Sequence, residues 1–255
     1  MEEKLAYIKQ KMTHLDITLT DQMAEQLYRY YELLVEWNSF MNLTGIIEFE
    51  EVVQKHFVDS LSIVKVKNMN EVDNLIDVGT GAGFPGLPLK IVFPNIQVTL
   101  LDSLNKRIDF LNEVIRQTGL ENIETIHGRA EDFAKPGLKR EVYDLCVSRA
   151  VANLATLSEY CLPYVKIGGE FIPYKSGEIE EELQDAKGAV FLLGGKVESC
   201  ENFDLPGSDI HRSLVRIKKV GGCPKKYPRK AGMPTKTPLH YDMYPESWTH
   251  IYELS

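Results

Sequence analysis

The residues Asp77-Val78-Gly79-Thr80-Gly81-Ala82-Gly83-Phe84-Pro85-Gly86 are the part of this chain whose types and spacing point most directly to chemistry. Three alternating glycines follow a short apolar run, so backbone there can approach a ligand where a Cβ would clash. Asp77, two residues before the first glycine, is an awkward neighbour for a pyrophosphate. It suits a zwitterionic ligand whose amino group and sulfonium are cationic. Asp102 closes a second apolar run, where a carboxylate accepts hydrogen bonds from both hydroxyls of a ribose. Gly128-Arg129-Ala130-Glu131-Asp132 follows a third, placing main chain and Glu131 where an adenine is read. His56 and Asp59, three apart on one helical face, can hydrogen-bond each other or line a site.

To bring these groups together the chain needs a sheet with its carboxyl ends at one edge. Short apolar runs at 75–78, 98–101, 123–126, 143–147 and 170–173 fit buried parallel strands, and two more follow at 196–203 and 214–218. Helical spacing fills the gaps between them. Ile108, Leu111 and Ile115 share a face, with Arg116 in the last turn and Gly119 as C-cap. Another helix starts near Asn153, with Leu154, Leu157 and Cys161 spaced for burial, and a longer one covers 178–193 up to Gly194-Gly195. The first 65 residues read as helical. Thr20 caps a helix whose apolar face holds Ala24, Leu27, Tyr31, Leu34, Val35 and Asn38, and a second helix over 48–64 aligns Val52, His56, Asp59 and Ile63. Residues 66–74 form the join. The pattern predicts an α/β fold, a doubly wound, mostly parallel sheet with an N-terminal helical cap. The expected division is 1–67 cap, 68–219 Rossmann-like domain and 220–255 basic arm and tail.

Composition sets the setting. The chain has 255 residues, 44% hydrophobic and 26% charged, as in ordinary soluble domains. No apolar stretch approaches the roughly 18 residues that span a bilayer, and residues 1–20 are too charged for a signal peptide. Cys146, Cys161, Cys200 and Cys223 form no C-x-x-C pair, and the histidines show no metal-ligand spacing, so a cytoplasmic protein without a metal site is expected; no membrane partner is expected either, and the chain is taken as a monomer. Net charge is −8. From Ile210 to Tyr241, however, there are nine of the 29 Lys and Arg residues and none of the 37 acids. An acidic body with one basic segment suits a localised anionic partner. Lys106, Arg107, Lys225, Lys226, Arg229 and Lys230 suit phosphate contact. Interleaved Tyr227, Pro228 and Pro234 suggest an extended arm that orders on RNA.

Two glycine patterns overlap in the loop: Gly79, Gly81 and Gly83 make the G-x-G-x-G of methyltransferases, and Gly81, Gly83 and Gly86 the G-x-G-x-x-G of dinucleotide binders. The wider sequence adds Leu34-Val35-Glu36-Trp37-Asn38 with Asn42-Leu43-Thr44, His56-Phe57-Val58-Asp59-Ser60-Leu61, Asp102-Ser103-Leu104-Asn105-Lys106-Arg107, Arg129-Ala130-Glu131, Ser148-Arg149-Ala150 and Tyr227-Pro228-Arg229-Lys230. In these segments, in this order, the chain resembles the bacterial RsmG (GidB) family of 16S rRNA guanine-N7 methyltransferases. The resemblance implies a Rossmann-like S-adenosyl-L-methionine methyltransferase fold acting on 16S rRNA or the assembling 30S subunit. It also implies cofactor contacts at Gly79, Phe84, Ala130, Glu131 and Arg149, beside Asp77, Gly81 and Asp102 from the residue reading. Arg149 suits the cofactor's carboxylate, guanine O6 or a phosphate, and Lys175, closing the fifth strand, is the expected RNA contact beside the methyl group. These two are the catalytic candidates. Residues 240–255 have no counterpart in the family. An NAD-dependent oxidoreductase and a non-catalytic RNA-binding factor are the rival readings. The first lacks a second substrate domain, and an intact glycine loop with Asp77 and Asp102 weighs against the second.

Overall fold

A computed structural model describes residues 1–149 and 151–240. Ala150 of the Ser148-Arg149-Ala150 segment and all but the first residue of the unassigned 240–255 stretch lie outside the described residues. Two helices, α1 (Glu2–Thr13) and α2 (Asp21–Met41), open the chain. Thr20 caps α2 as expected, its side chain accepting from Met23 N at 3.2 Å. The buried face of α2 is Ala24, Leu27, Tyr30, Leu33 and Leu34, turned from the predicted one. Tyr31 stays half-buried, edge-on to Phe49, because the neighbouring Tyr30 has the buried acceptor that a phenol hydroxyl needs.

The expected helix over 48–64 is interrupted. It runs as α3 (Phe49–Val52), a π-helical stretch Val53–Val58, α4 (Asp59–Leu61) and a 3-10 turn Ser62–Lys65. The π turn is wider and the 3-10 turn tighter than an α-turn, yet the expected line still faces inward, with Val52, Asp59 and Ile63 buried and His56 half-buried.

From there strand and helix alternate: β1 (Asn74–Val78), α5 (Gly86–Val92), β2 (Gln97–Asp102), α6 (Asn105–Thr118), β3 (Ile123–His127), α7 (Ala130–Phe133), β4 (Tyr143–Arg149), α8 (Leu154–Cys161), β5 (Val165–Ser176), α9 (Glu180–Leu192), β6 (Gly195–Asp204), β7 (His211–Lys219) and α10 (Met233–Lys236). The sheet order is β3-β2-β1-β4-β5-β7-β6, with β7 antiparallel to both neighbours and the other pairs parallel. Alternate residues feed two separate cores. Leu75, Val98, Leu100, Leu145, Val147 and Ile172 pack with α1, α2 and the 49–65 run. Ile76, Leu101, Cys146 and Phe171 pack with α8, α9 and the C-terminal arm. Gly119 takes φ +65° to end α6, the conformation a glycine C-cap supplies.

Candidate active site

The carboxyl ends of β1, β2 and β3 open on one cleft of about 600 Å³, within the range of small-molecule sites. From β1 come Val78 and Gly79. Gly79 sits at φ +72°, and a Cβ there would stand 2.7 Å from Val151 Cγ2. Gly79 N and Thr80 N donate to Leu101 O, and Gly81 N donates to Asp102 Oδ2 at 2.9 Å, so β2 fixes the loop. Asp102 lies at the cleft floor; its Oδ1 accepts from Leu104 N at 2.9 Å and Arg107 Nη1 stands 3.3 Å from Oδ2. After β3 come Gly128 and Arg129, then Ala130 and Glu131 from the start of α7. Leu104 and Val151, 42% and 41% exposed, put apolar surface at the cleft.

Asp77 is placed differently from the expectation of a direct ligand contact. It is fully buried under the loop, with Oδ2 accepting from Thr80 Oγ1 at 2.7 Å and Gly86 N at 2.8 Å. Its Oδ1 is buried without a hydrogen-bond partner. Burial pushes the carboxyl up to about 6, against the opposing pull of those two donors. A Cβ on Gly86 would lie 2.9 Å from Asp77 Oδ2, which is why the close approach is made by glycine. Three features fit S-adenosylmethionine: a cleft of this size, a carboxylate at the end of β2 and an orphaned buried carboxylate oxygen beneath the glycine loop. Gly79, Asp102, Ala130 and Glu131 are brought together on its wall; Gly81 is tied to Asp102 beside it, with open space where its Cβ would be.

Phe84 and Arg149 belong to a second group, off the cleft wall. The Arg149 guanidinium lies 5.1 Å from the Phe84 ring centroid, and His56 stacks on the same ring at 4.4 Å. Arg149 Nη1 donates to Asp59 Oδ2 at 2.8 Å and Nη2 to His56 Nδ1 at 3.2 Å. Because arginine can only donate, Nδ1 is the unprotonated nitrogen and Nε2–H points to Thr44 Oγ1, 3.0 Å away. Burial and the Arg149 charge hold His56 down to about 3, so the ring is neutral. His56 and Asp59 thus do not bond each other; both are bound by Arg149. Lys175, expected to face RNA, instead pairs with Glu182 Oε1 at 2.6 Å and donates to Ala152 O at 3.0 Å, with only 13% of its side chain exposed. A lysine at the end of a central strand meets the following helix before it meets solvent. Cys146 is fully buried, and burial pushes its thiol up, which leaves it no nucleophilic role.

The basic segment is corrected too. Arg229 is clamped on the fully buried Glu159, Nη2 to Oε2 at 2.6 Å and Nε to Oε1 at 2.9 Å. The arm is not an extended tail awaiting RNA: Tyr227, Pro234 and Leu239 are buried, and α10 follows Gly232. Lys225, Lys226 and Lys230 are exposed, as is Lys106, whose Nζ lies 3.5 Å from Met41 O. Four cleft residues escaped the sequence reading: Val151, Tyr160, Gly232 and Thr235. Neither spacing nor residue type marks them, since Val151 follows β4, Tyr160 comes from α8, and Gly232 and Thr235 come from the start of α10.

Fold and cleft together define an S-adenosylmethionine-dependent methyltransferase. One solved structure of this fold, M. jannaschii TYW2 in complex with AdoMet, aligns with a TM-score of 0.51 and 16% identity, over 69% of this chain and 80% of that one. The profile of the family rRNA small subunit methyltransferase G (GidB) matches residues 23–214, and the chain belongs to that family. The ribosomal RNA small subunit methyltransferase G of Lachnoclostridium phytofermentans is 56% identical over 90% of this chain and 95% of its own. That of Staphylococcus carnosus is 50% identical over 91% and 98%.

Proposed function

We propose that this chain transfers a methyl group from S-adenosylmethionine to N7 of a guanosine in the 16S rRNA of the small ribosomal subunit. The observation that carries the reading is the Gly79–Asp102–Ala130–Glu131 cleft at the carboxyl ends of three adjacent parallel strands, in a chain of this family. S-adenosylmethionine supplies an electrophilic methyl when bound. Asp102 offers acceptors for the ribose, Ala130 and Glu131 a polar edge for adenine, and Asp77 Oδ1 negative charge beneath the cationic end. Guanine N7 presents a free lone pair, so transfer needs in-line alignment more than a base. The end of β4 agrees with that demand: Ser148 Oγ is spent on Val78 O at 2.6 Å and Arg149 on Asp59, leaving no amine-gripping motif there. The exposed Lys106, Lys225, Lys226 and Lys230 would hold phosphates. The test is to incubate labelled S-adenosylmethionine with 30S subunits, purified rRNA and tRNA and map the modified nucleoside. N7-methylguanosine in 16S rRNA is expected; a methylated exocyclic amine or pyrimidine C5 would refute the mechanism.

A further inference from the structure

The arm that follows β7 returns to the cleft, and we infer that residues 229–235 form the fourth wall of the cofactor site, latched by the Arg229–Glu159 pair. This rests on the reading of the cleft given above. Gly232 and Thr235 both line it, opposite the strand ends, together with Tyr160 from α8. Four attachments hold the wall. Gly232 N donates to Glu131 Oε1 at 3.1 Å, so a residue assigned to the adenine side is itself bonded to the arm. Tyr160 Oη and Thr235 Oγ1 are 2.8 Å apart, and Thr156 Oγ1 donates to Pro234 O at 3.0 Å. The Arg229 backbone and guanidinium both bond the buried Glu159, and Nη2 also donates to Thr237 O at 2.8 Å. Upstream, Arg140 donates to the carbonyls of Cys223, Pro224 and Tyr227, which fixes the path into the wall. A segment that only covered the apolar side of α8 would not need the bond to Glu131. Gly232 also adopts φ +81°, the left-handed conformation that turns the chain into α10 beside the cleft.

The experiment is calorimetric titration of S-adenosylhomocysteine into the full chain, the T235W variant and the R229Q variant, each checked for thermal unfolding. Thr235 is exposed, so an indole there is compatible with folding while it projects into the cleft. T235W is expected to weaken binding by about tenfold or more, and R229Q by a similar factor through release of the wall. T235A, which removes only the bond to Tyr160, should weaken it less. If R229Q does not fold, T235W decides alone. Unaltered affinity in a folded T235W overturns the inference. A wild-type chain that binds no S-adenosylhomocysteine overturns the functional reading itself.

Discussion

Arg149 Nη1 sits 2.8 Å from one oxygen of Asp59, and Arg212 Nε sits 2.8 Å from the other. One nearly buried carboxylate thereby ties the end of β4 and the start of β7 to the N-terminal helical layer. Removing one partner of such a pair costs about 3–5 kcal/mol, and Arg212 remains to hold Asp59. R149A is therefore expected to lower stability by about 3 kcal/mol, with R149K recovering part, since lysine cannot reach Asp59 and His56 together. Denaturant unfolding beside S-adenosylhomocysteine titration checks this. If stability is unchanged while cofactor binding collapses, Arg149 touches the ligand directly.

Asp77 makes stability depend on pH in an unusual direction. Its folded-state value of about 6 lies above the ordinary 3.8, so the folded chain binds a proton that the unfolded chain has released. That contribution, on the order of 3 kcal/mol, is complete below about pH 4 and is lost as pH rises through 6. His56, held at about 3, acts in the opposite sense, losing stability as pH falls below its ordinary 6.5. The two offset each other between pH 4 and 6, so the measurement is the difference in unfolding free energy between wild type and D77N across pH 4–7. That difference should shift in favour of D77N with rising pH; a flat difference contradicts the assignment.

Tyr30 donates its buried hydroxyl to Ala82 O in the glycine loop, and its ring stacks on Phe84 at 5.2 Å. Y30F keeps the ring and leaves a buried carbonyl without its donor, a loss of about 1–3 kcal/mol. Because the loop is the element released, S-adenosylhomocysteine affinity should fall with it. A variant that is destabilised yet binds normally would show that Ala82 is remote from the ligand.

Lys225, Lys226 and Lys230 are exposed cations of the arm, as is Lys236, whereas the half-buried Arg229 is paired with Glu159. Replacing the first three by Ala should flatten the salt dependence of rRNA binding by about 2–3 in log–log slope, at roughly 0.7–0.9 per phosphate contact. Filter binding from low to moderate salt gives the slope. Adding R229A to the set should bring loss of stability without a further change in slope.

The seven strands of the described residues, the glycine loop and the three carboxylate-bearing strand ends could be read from the chain, because apolar runs and turn residues act locally. What escaped was decided by tertiary partners. The identity of Tyr30 over Tyr31 as the core residue depends on Ala82, 52 positions away in sequence. Lys175 and Arg229 look like phosphate ligands by type, yet Glu182 and Glu159 claim them, and nothing in the spacing announces those pairs. The π-helical stretch at Val53–Val58 likewise leaves no mark in a sequence with ordinary helical periodicity.

β7 runs against its neighbours, so the chain leaves the sheet at the edge opposite the cleft and must travel back through residues 220–231 to reach it. This has a consequence for the order in which the protein is made. Synthesis adds residues from the N-terminus at about 5–20 per second, and every strand of the described residues, with the glycine loop, precedes Gly232. A nascent chain or a truncation ending between Lys219 and Gly232 would own the whole sheet and still lack one side of its pocket. It would also leave bare the surface that Leu239 covers, and before their turn that of Cys223 and Tyr227. On that inference the pocket closes only when Gly232 and Thr235 have followed the finished sheet, so the sheet is complete before the ligand site is.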